Sequence, residues 1–235
     1  MLKPIKKYVS RIPGYNNFRK FLWHTTLRIQ TPEKIFSDAF SDNRWGDDES
    51  ISGPGSNLSA TRAIRKAIPE LIAEYGIHSV LDIPCGDFNW LSRVDLAVDY
   101  TGIDIVDEII QGNLRKYIRP DRKFIKLDIL RDQLPEADLL LCRDCLVHFS
   151  FAHIFQSLRN IRSSGCKYLL TTTFTDRKNN LDIPTGAWRP INLQIAPFNL
   201  PPPLRLIDEK CTVTEGKYAD KHLGLWKIFD SGALR

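Results

Sequence analysis

Long apolar runs, repeats and low-complexity tracts are missing from this sequence of 235 residues. The longest apolar runs, at 137–142 and 168–170, are far shorter than the ~20 residues that a membrane-spanning helix needs. The basic N-terminus also lacks an apolar stretch followed by a small-residue cleavage site, which argues against a secretory signal. With 43% hydrophobic and 26% charged residues, the chain is expected to form one cytoplasmic globular domain with an extension.

Cysteine patterns typical of disulfide frameworks and zinc sites are missing too. The five cysteines are an odd number scattered among apolar residues, and a chain of this size does not need disulfides, so we expect reduced thiols. Cys142 and Cys145 form a CxxC pair, but no second pair or paired histidines completes four zinc ligands. The sequence therefore predicts no metal site.

Acidic side chains are absent from residues 1–30, which contain seven Lys and Arg residues. Because the whole chain has a net charge of +5, the remainder carries −2, and nucleic acid is not an expected partner. Aromatic and aliphatic residues accompany the cations, a mixture that suits an anionic membrane surface. We expect peripheral association with the inner membrane face through residues 1–30, with a short helix packed on the domain as an equal alternative.

Apolar residues recur at helical and strand spacings in alternation along the chain. Helices are predicted over residues 31–40, 58–75, 106–117 and 151–162, and strands near 79–83, 99–103, 123–127, 139–142, 168–173, 204–207 and 223–229. This alternation predicts an α/β fold with a doubly wound, mostly parallel seven-stranded sheet and helices on both faces. Ligands of such sheets bind at the carboxyl ends of the strands.

The expected organisation has two parts. Residues 1–50 form a basic and aromatic N-terminal extension that contains a helix, and residues 51–235 form the domain. Within the domain, residues 174–203 form a long proline-containing connection. Connections of this length are usually functional, so we expect a substrate loop.

Acidic residues stand at or directly after the ends of the first three predicted strands. Asp82 opens the segment DIPCGDFNW at 82–90, in which Gly86 permits a tight turn close to a ligand. Asp104 follows Asp82 by 22 positions, the spacing at which a nucleotide-binding unit places a carboxylate on ribose hydroxyls. Asp128 follows the third strand. The alternative for each aspartate is a loop-capping carboxylate.

This ordered set of motifs, over about residues 51–229, resembles the class I S-adenosylmethionine-dependent methyltransferases. The segments SGPGS at 52–56, DIPCGDFNW at 82–90, CRDCLVHFS at 142–150 and WRPINL at 188–193 resemble an uncharacterised bacterial subfamily, some of whose genes lie near surface-glycan genes. Of the family's usual glycines the chain keeps only Gly86, with Pro84 and Phe88 in place of the others. The resemblance implies S-adenosylmethionine as cofactor.

The resemblance also implies roles for individual residues. Asp128 would accept from the adenine amine while Ile129 packs on the ring, and the turn after the fourth strand would face the transferred methyl group. The expected cofactor-binding residues are Asp82, Pro84, Cys85, Gly86, Asp87, Asp104, Ile105, Asp128, Ile129 and Arg143.

Methyl transfer to a hydroxyl needs a base, and His148 is the first candidate, with Asp144 second. A histidine that only caps or packs at the start of the helix at 151–162 is the alternative for His148. Arg177, Trp188 and Arg189 on the long connection are expected to bind the acceptor.

The expected reaction is O-methylation of a sugar, glycan or small-molecule acceptor. Two alternatives remain. One is a catalytically silent methyltransferase-like module that binds within a glycan-assembly complex. The other is a nicotinamide-dependent oxidoreductase, against which the missing G-x-G-x-x-G argues.

Overall fold

Seven strands form one mixed sheet in the computed structural model of the protein, which describes residues 15–212 and 216–228. The strands are β1 (Ser79–Asp82), β2 (Asp99–Asp104), β3 (Arg122–Lys126), β4 (Leu139–Cys142), β5 (Tyr168–Phe174), β6 (Arg205–Asp208) and β7 (Lys221–Lys227). Their order across the sheet is β3-β2-β1-β4-β5-β7-β6. Neighbours from β3 to β5 pair in parallel, whereas β7 is antiparallel to both β5 and β6. The prediction of a mostly parallel seven-stranded α/β sheet is confirmed.

The described helices are α1 (Tyr15–Ile29), α2 (Pro32–Ser41), α3 (Arg62–Glu74), α4 (Asp107–Tyr117) and α5 (Phe151–Ser163). Helix α2 begins where the sequence predicts, because the Thr31 hydroxyl accepts the Lys34 N–H at 3.3 Å and Pro32 occupies the first turn. Helix α3 begins later than predicted, because Asn57 Oδ1 accepts the Ala60 N–H at 2.8 Å and turns the chain first.

Helices cover both faces of the sheet because successive strand residues point to opposite sides. Leu81 and Leu140 pack in one hydrophobic cluster with the buried side of α5. Their neighbours Val80 and Leu139 pack in a second cluster with α3 and α4. This layering confirms the doubly wound arrangement and leaves the strand ends free to form a site.

The long connection after β5 is packed rather than open. Ile191, Leu193, Phe198 and Leu200 are buried in the same cluster as α5. Much of the expected substrate loop therefore contributes to the core. Its role towards a substrate stays a prediction.

The second half of the N-terminal extension docks on this connection. Leu27 at the end of α1, Ile35 of α2 and Ala187 form a small buried cluster. At Gly186 (φ +95°), a Cβ would come within 2.4 Å of Ile35 Cγ2, so the close approach requires glycine. No helix of the described residues is long and apolar enough to cross a membrane. Residues 1–14 of the expected membrane segment, and residues 229–235 beyond β7, lie outside the described residues.

Candidate functional site

The strand order reverses at β1 and β4, since the chain continues from β1 to β2 on one side and from β4 to β5 on the other. Such a switch point leaves a crevice at the carboxyl ends of the strands. A cavity lies there, and residues of α2 and the turn after it complete its wall. The predicted site residues in its lining are Asp82, Pro84, Cys85, Gly86, Asp87, Asp104, Ile105, Asp128, Ile129, Arg143, Asp144 and His148.

The glycine turn after β1 is locked to the end of β2. The Gly86 N–H donates to Asp104 Oδ2 at 3.1 Å, and Asn113 Nδ2 of α4 donates to the Gly86 carbonyl at 2.7 Å. Gly86 has φ +53°, and a Cβ here would lie 2.3 Å from Ser52 Oγ. The turn therefore needs glycine both for its backbone conformation and for the close approach of residue 52.

Asp82 and Asp104 are buried carboxyl groups whose partners are uncharged. The Tyr100 hydroxyl donates to Asp82 Oδ2 at 2.6 Å, and the Val106 N–H donates to Asp104 Oδ1 at 3.0 Å. Burial raises the pKa of Asp82 to about 7 against the lowering effect of the Tyr100 hydrogen bond. Burial likewise raises the pKa of Asp104 to about 6. These groups disfavour their own charge until a cation or further donors arrive.

Asp87 holds the SGPGS segment over the glycine turn. Its Oδ1 accepts from the hydroxyls of Ser50 (3.1 Å) and Ser52 (3.3 Å), and its Oδ2 accepts from the Ile51 N–H (3.1 Å). The Ser52 hydroxyl in turn accepts the Asp87 N–H at 3.2 Å. Asp87 thus shapes the cavity by fixing the segment that covers it.

Asp128 and Ile129 are adjacent residues that follow β3, the edge strand of the sheet, and both line the cavity. Asp128 Oδ1 accepts the Leu130 N–H at 2.9 Å, which is the loop-capping contact expected as the alternative. Arg131 approaches Asp128 Oδ2 at 3.6 Å. Because a carboxylate has about four acceptor positions, these contacts leave Asp128 able to accept from a ligand.

Four charged side chains form a network that meets the cavity at Arg143 and Asp144; all are buried except Asp144, whose side chain is 27% exposed. Glu209 pairs with Arg143 at 2.7 Å and with Lys221 at 3.2 Å. Asp144 pairs with Lys221 at 2.6 Å and with Arg143 at 3.3 Å. Arg143 also donates to the Gly55 carbonyl at 2.8 Å. Two cations and two carboxylates balance, so the network as a whole is uncharged.

The network decides the protonation of its members. Burial raises the pKa of Asp144, but Lys221 and Arg143 outweigh that effect and hold it far below the ordinary range. Burial lowers the pKa of Arg143, but Glu209 and Asp144 outweigh that effect and raise it. Asp144 is therefore a firmly ionised carboxylate and a weak proton acceptor.

His148 faces the cavity at the end of the short helical turn 146–148. Its Nδ1 lies 3.0 Å from the Ala187 carbonyl oxygen, which can only accept, so Nδ1 carries the hydrogen and Nε2 is the acceptor of the neutral ring. Burial lowers the pKa of His148. At neutral pH it is an unprotonated imidazole whose tautomer is fixed by the long connection.

The three residues expected to bind an acceptor lie outside the cavity lining. Arg177 pairs with Asp220 at 2.5 Å, and Trp188 packs on Tyr218 with ring centroids 4.9 Å apart. Arg189 is buried and donates to the carbonyls of residues 146, 147, 149 and 181. Burial lowers the pKa of Arg189 to about 10. Main-chain carbonyls occupy its guanidinium, so Arg189 holds the turn at 146–149 against the long connection, and its role towards an acceptor stays a prediction.

Sequence reasoning did not find Trp45, Phe36, Glu209 or Lys221. Trp45 and Phe36 line the cavity, although they belong to the segment interpreted as an extension. Glu209 and Lys221 lie 66 and 77 positions from the residues that they neutralise. No spacing in one sequence signals such contacts. Among the described residues, no group of His, Cys, Asp and Glu side chains could hold a metal ion.

No family model and no curated protein matches the chain. Among solved structures, N-methyltransferase NodS from Bradyrhizobium japonicum WM9 with S-adenosyl-L-homocysteine aligns at 13% identity and TM-score 0.48, over 59% of this chain and 72% of that one. Human N-acetylserotonin methyltransferase with S-adenosylmethionine aligns at 15% and 0.47, over 81% and 65%.

A third structure, magnesium protoporphyrin IX methyltransferase from Synechocystis PCC 6803 with bound S-adenosyl-L-homocysteine, aligns at 15% identity and TM-score 0.45, over 62% of this chain and 73% of that one. In one further alignment with a solved structure, this chain covers 44% of the other protein's length. Since all three TM-scores lie below 0.5, function has to be inferred from the residues of this chain.

Proposed function

We propose that the protein is an S-adenosylmethionine-dependent methyltransferase that methylates a hydroxyl group of a sugar, glycan or small-molecule acceptor. One observation carries the proposal. Asp82 and Asp104, whose buried carboxyls have uncharged partners, share one cavity with His148, whose free nitrogen is an acceptor. This combination suits a cationic, hydroxyl-rich cofactor on one side and a hydroxyl nucleophile on the other.

The chemistry of the donor set fits the cofactor. S-adenosylmethionine carries an ammonium group, a sulfonium and two ribose hydroxyls, all of which favour carboxylate neighbours. Asp82 and Asp104 supply two such groups, and each retains acceptor positions beyond its present hydrogen bonds. Ile129 supplies an apolar surface in the lining beside Asp128 for a flat ring. Because Gly86 has no side chain, a ligand can approach the backbone of this turn closely.

When bound, the cofactor supplies a methyl group on a sulfonium for in-line displacement. The chain has to hold the acceptor oxygen in line with that group and accept the hydroxyl proton. Nε2 of His148 is the proton acceptor, and the Ala187 carbonyl holds the ring by its other nitrogen. Burial lowers the pKa of His148, and the charges of Asp144 and Lys221 act on it in opposite directions.

Binding of S-adenosyl-L-homocysteine, measured by calorimetry, tests the proposal. We expect micromolar affinity and a loss of about tenfold or more in Asp104→Ala, because charge-assisted hydrogen bonds to the ribose are removed. Asp99→Ala is the matched control, since Asp99 is an exposed residue at the opposite end of the same strand.

Asp104 also accepts two backbone N–H groups, so thermal melting of each variant has to accompany the titration. Asp104→Asn keeps the shape of the side chain and is the milder substitution. A wild-type protein that binds NAD and ignores S-adenosyl-L-homocysteine would overturn the proposal and favour an oxidoreductase.

We also propose that the N-terminal segment associates with an anionic membrane surface at the cytoplasmic face. Phe21 is 66% exposed and Ile29 is 82% exposed, and Leu22 and Trp23 are exposed beside them. Residues 1–30 carry seven cations and no acidic residue. Basic residues near an anionic surface contribute up to ~1 kcal/mol each before screening.

Vesicle flotation tests this association. We expect the protein to float with vesicles of phosphatidylcholine and phosphatidylserine, and to float less in high salt. With vesicles of phosphatidylcholine alone it should not float. Phe21→Ser with Trp23→Ser should reduce flotation, whereas Leu181→Ser, at an equally exposed apolar residue of the long connection, should not. Equal flotation of all three proteins would assign α1 to another partner.

A further inference from the structure

We infer that Trp45 and Phe36 form, with His148, a subsite for an uncharged ring that bears a hydroxyl group. The inference rests on the proposed function and adds the chemical class of the acceptor. It also gives a role to the segment after α2, which the sequence presented as part of an N-terminal extension.

The rings of this subsite surround the candidate base. The Trp45 ring lies 6.0 Å from the His148 ring with an interplanar angle of 66°, and the Phe36 ring lies 6.4 Å away at 85°. Phe36 also packs on Phe149 at 6.0 Å. Trp45, Phe36, His148 and Phe149 all line the cavity. A ring bound here would have its hydroxyl within the reach of His148.

Trp45 is held in place by the segment that covers the glycine turn. A Cβ on Gly53 (φ +91°) would lie 2.8 Å from Trp45 Cβ, so the side chain of Trp45 rests directly on a glycine. That segment is fixed from below by Asp87, through its bonds to Ser52 and Ile51. The aromatic wall and the turn expected to bind the cofactor are therefore joined by a short chain of contacts.

The charged side chains that line this end of the cavity are paired. Asp144 lies in the lining with His148, and Lys221 at 2.6 Å and Arg143 at 3.3 Å pair with it. Arg143 is in turn bound by Glu209. A charged acceptor would thus meet apolar rings and no unpaired countercharge in this part of the lining, at a desolvation cost; the nearby guanidinium of Arg189 lies outside the lining and is occupied by main-chain carbonyls. Aromatic lining with a few placed polar groups is typical of small-molecule sites.

Ligand-detected NMR titrations on protein saturated with S-adenosyl-L-homocysteine test the subsite. Phenol and methyl β-glucoside are the uncharged ring probes, and benzoate and glucose 6-phosphate are their charged counterparts. We expect at least one uncharged probe to bind more tightly than its counterpart. Binding of phenol alone points to an aromatic acceptor, and binding of the glucoside alone points to a sugar.

Variants localise the effect. Trp45→Ala and Phe36→Ala should weaken the bound probe about two- to tenfold, the range of one aromatic contact. Trp45→Phe should restore part of the affinity. Trp23→Ala is the matched control, since Trp23 is a half-exposed tryptophan of α1 that lies outside the cavity lining. Unchanged binding in Trp45→Ala, or tighter binding of the charged probes, overturns the inference.

Calorimetry with S-adenosyl-L-homocysteine separates this inference from the proposed function. If Trp45→Ala binds both S-adenosyl-L-homocysteine and the ring probes as tightly as wild type, the subsite is wrong and the proposed function stands. If the wild-type protein does not bind S-adenosyl-L-homocysteine but binds a ring probe that Trp45→Ala no longer binds, the ring subsite stands and the methyltransferase proposal falls.

Discussion

Two pairs of carboxylates at one cavity have opposite electrostatics. Asp82 and Asp104, at the ends of β1 and β2, have hydroxyl and amide partners, and burial raises the pKa of both. Asp144 and Glu209, beyond β4 and β6, share Arg143 and Lys221. Asp144 consequently has a pKa far below its ordinary range.

The difference shows that the charged partner, together with burial, determines which carboxylate can change its charge. A buried carboxylate without a cation is poised to respond to a positive ligand, whereas one between two cations is locked. The proposed ligand-binding role therefore falls to the first pair, and we expect a structural role for the second. Variants and pH changes that affect each pair test this division.

The largest effect is expected from His148→Ala. Because Asp144 is locked as a carboxylate, the proton of a hydroxyl acceptor has to go to His148, and turnover should fall by ~10²–10⁴-fold. Cofactor affinity and melting temperature should stay close to wild type. The measurement is transfer of labelled methyl from S-adenosylmethionine to a ring acceptor that binds the wild-type protein.

Asp144→Asn is the comparison for this prediction, since it removes the other candidate base. A large loss of turnover in Asp144→Asn with an active His148→Ala would transfer the base role to Asp144. A lowered melting temperature with unchanged turnover in His148→Ala would make the bond to the Ala187 carbonyl purely structural.

The next largest effect is expected on stability. Glu209 is 2% exposed, and Glu209→Gln leaves Arg143 and Lys221 with a single carboxylate between them. Removing one partner of a buried pair costs about 3–5 kcal/mol of the free energy of unfolding. Urea denaturation monitored by tryptophan fluorescence measures it.

Glu74→Gln is the matched control, because Glu74 forms an exposed pair with Arg205. Exposed pairs contribute about 0–1 kcal/mol, so this variant should unfold almost like wild type. If the two variants lose the same stability, the network is not the locked structure that separates the two sides of the cavity.

The smallest effect is expected from pH. The ammonium group of S-adenosyl-L-homocysteine favours ionised carboxylates, and the raised pKa values mean that protons compete as pH falls through about 7 for Asp82 and about 6 for Asp104. Affinity should therefore be nearly full at pH 8 and fall roughly twentyfold by pH 6, because the ionised fraction falls about tenfold for Asp82 and about twofold for Asp104.

Asp82→Asn removes one titrating group and should flatten this pH profile while weakening binding at pH 8. Calorimetry at both pH values measures the change. Equal wild-type affinity at pH 8 and pH 6 would mean that the raised pKa values have no part in binding.

Local patterns in the sequence predicted most of the fold. Strands β1 to β5 begin and end within a residue of their predicted positions. The central strands are buried on both faces, and such strands leave short continuous apolar runs that can be read in the chain. The final strand was displaced, since its limits follow from pairing in register with β5, from Tyr168 opposite Lys227 to Phe174 opposite Lys221. Pairing between distant segments leaves no local signal.

The residues of the site likewise divide into those that the sequence could predict and those that it could not. Asp82, Gly86 and Asp104 could be predicted to lie together, because the carboxyl ends of neighbouring parallel strands meet at one edge of the sheet. Arg189 could not be recognised as structural, since its partners are main-chain carbonyls that every sequence has. Trp45 could not be placed beside His148, about a hundred positions away.

The sequence by itself determined the α/β class, the strand ends that carry carboxylates and the turn that needs Gly86, because these depend on periodicity and on backbone geometry within a few residues. Only the tertiary structure decided which of those carboxylates are free to respond to a ligand. Charge compensation falls off with distance in space and is indifferent to separation along the chain. Lys221 could therefore hold Asp144 ionised from 77 positions away, while Asp82 and Asp104 kept only neutral hydrogen-bond partners.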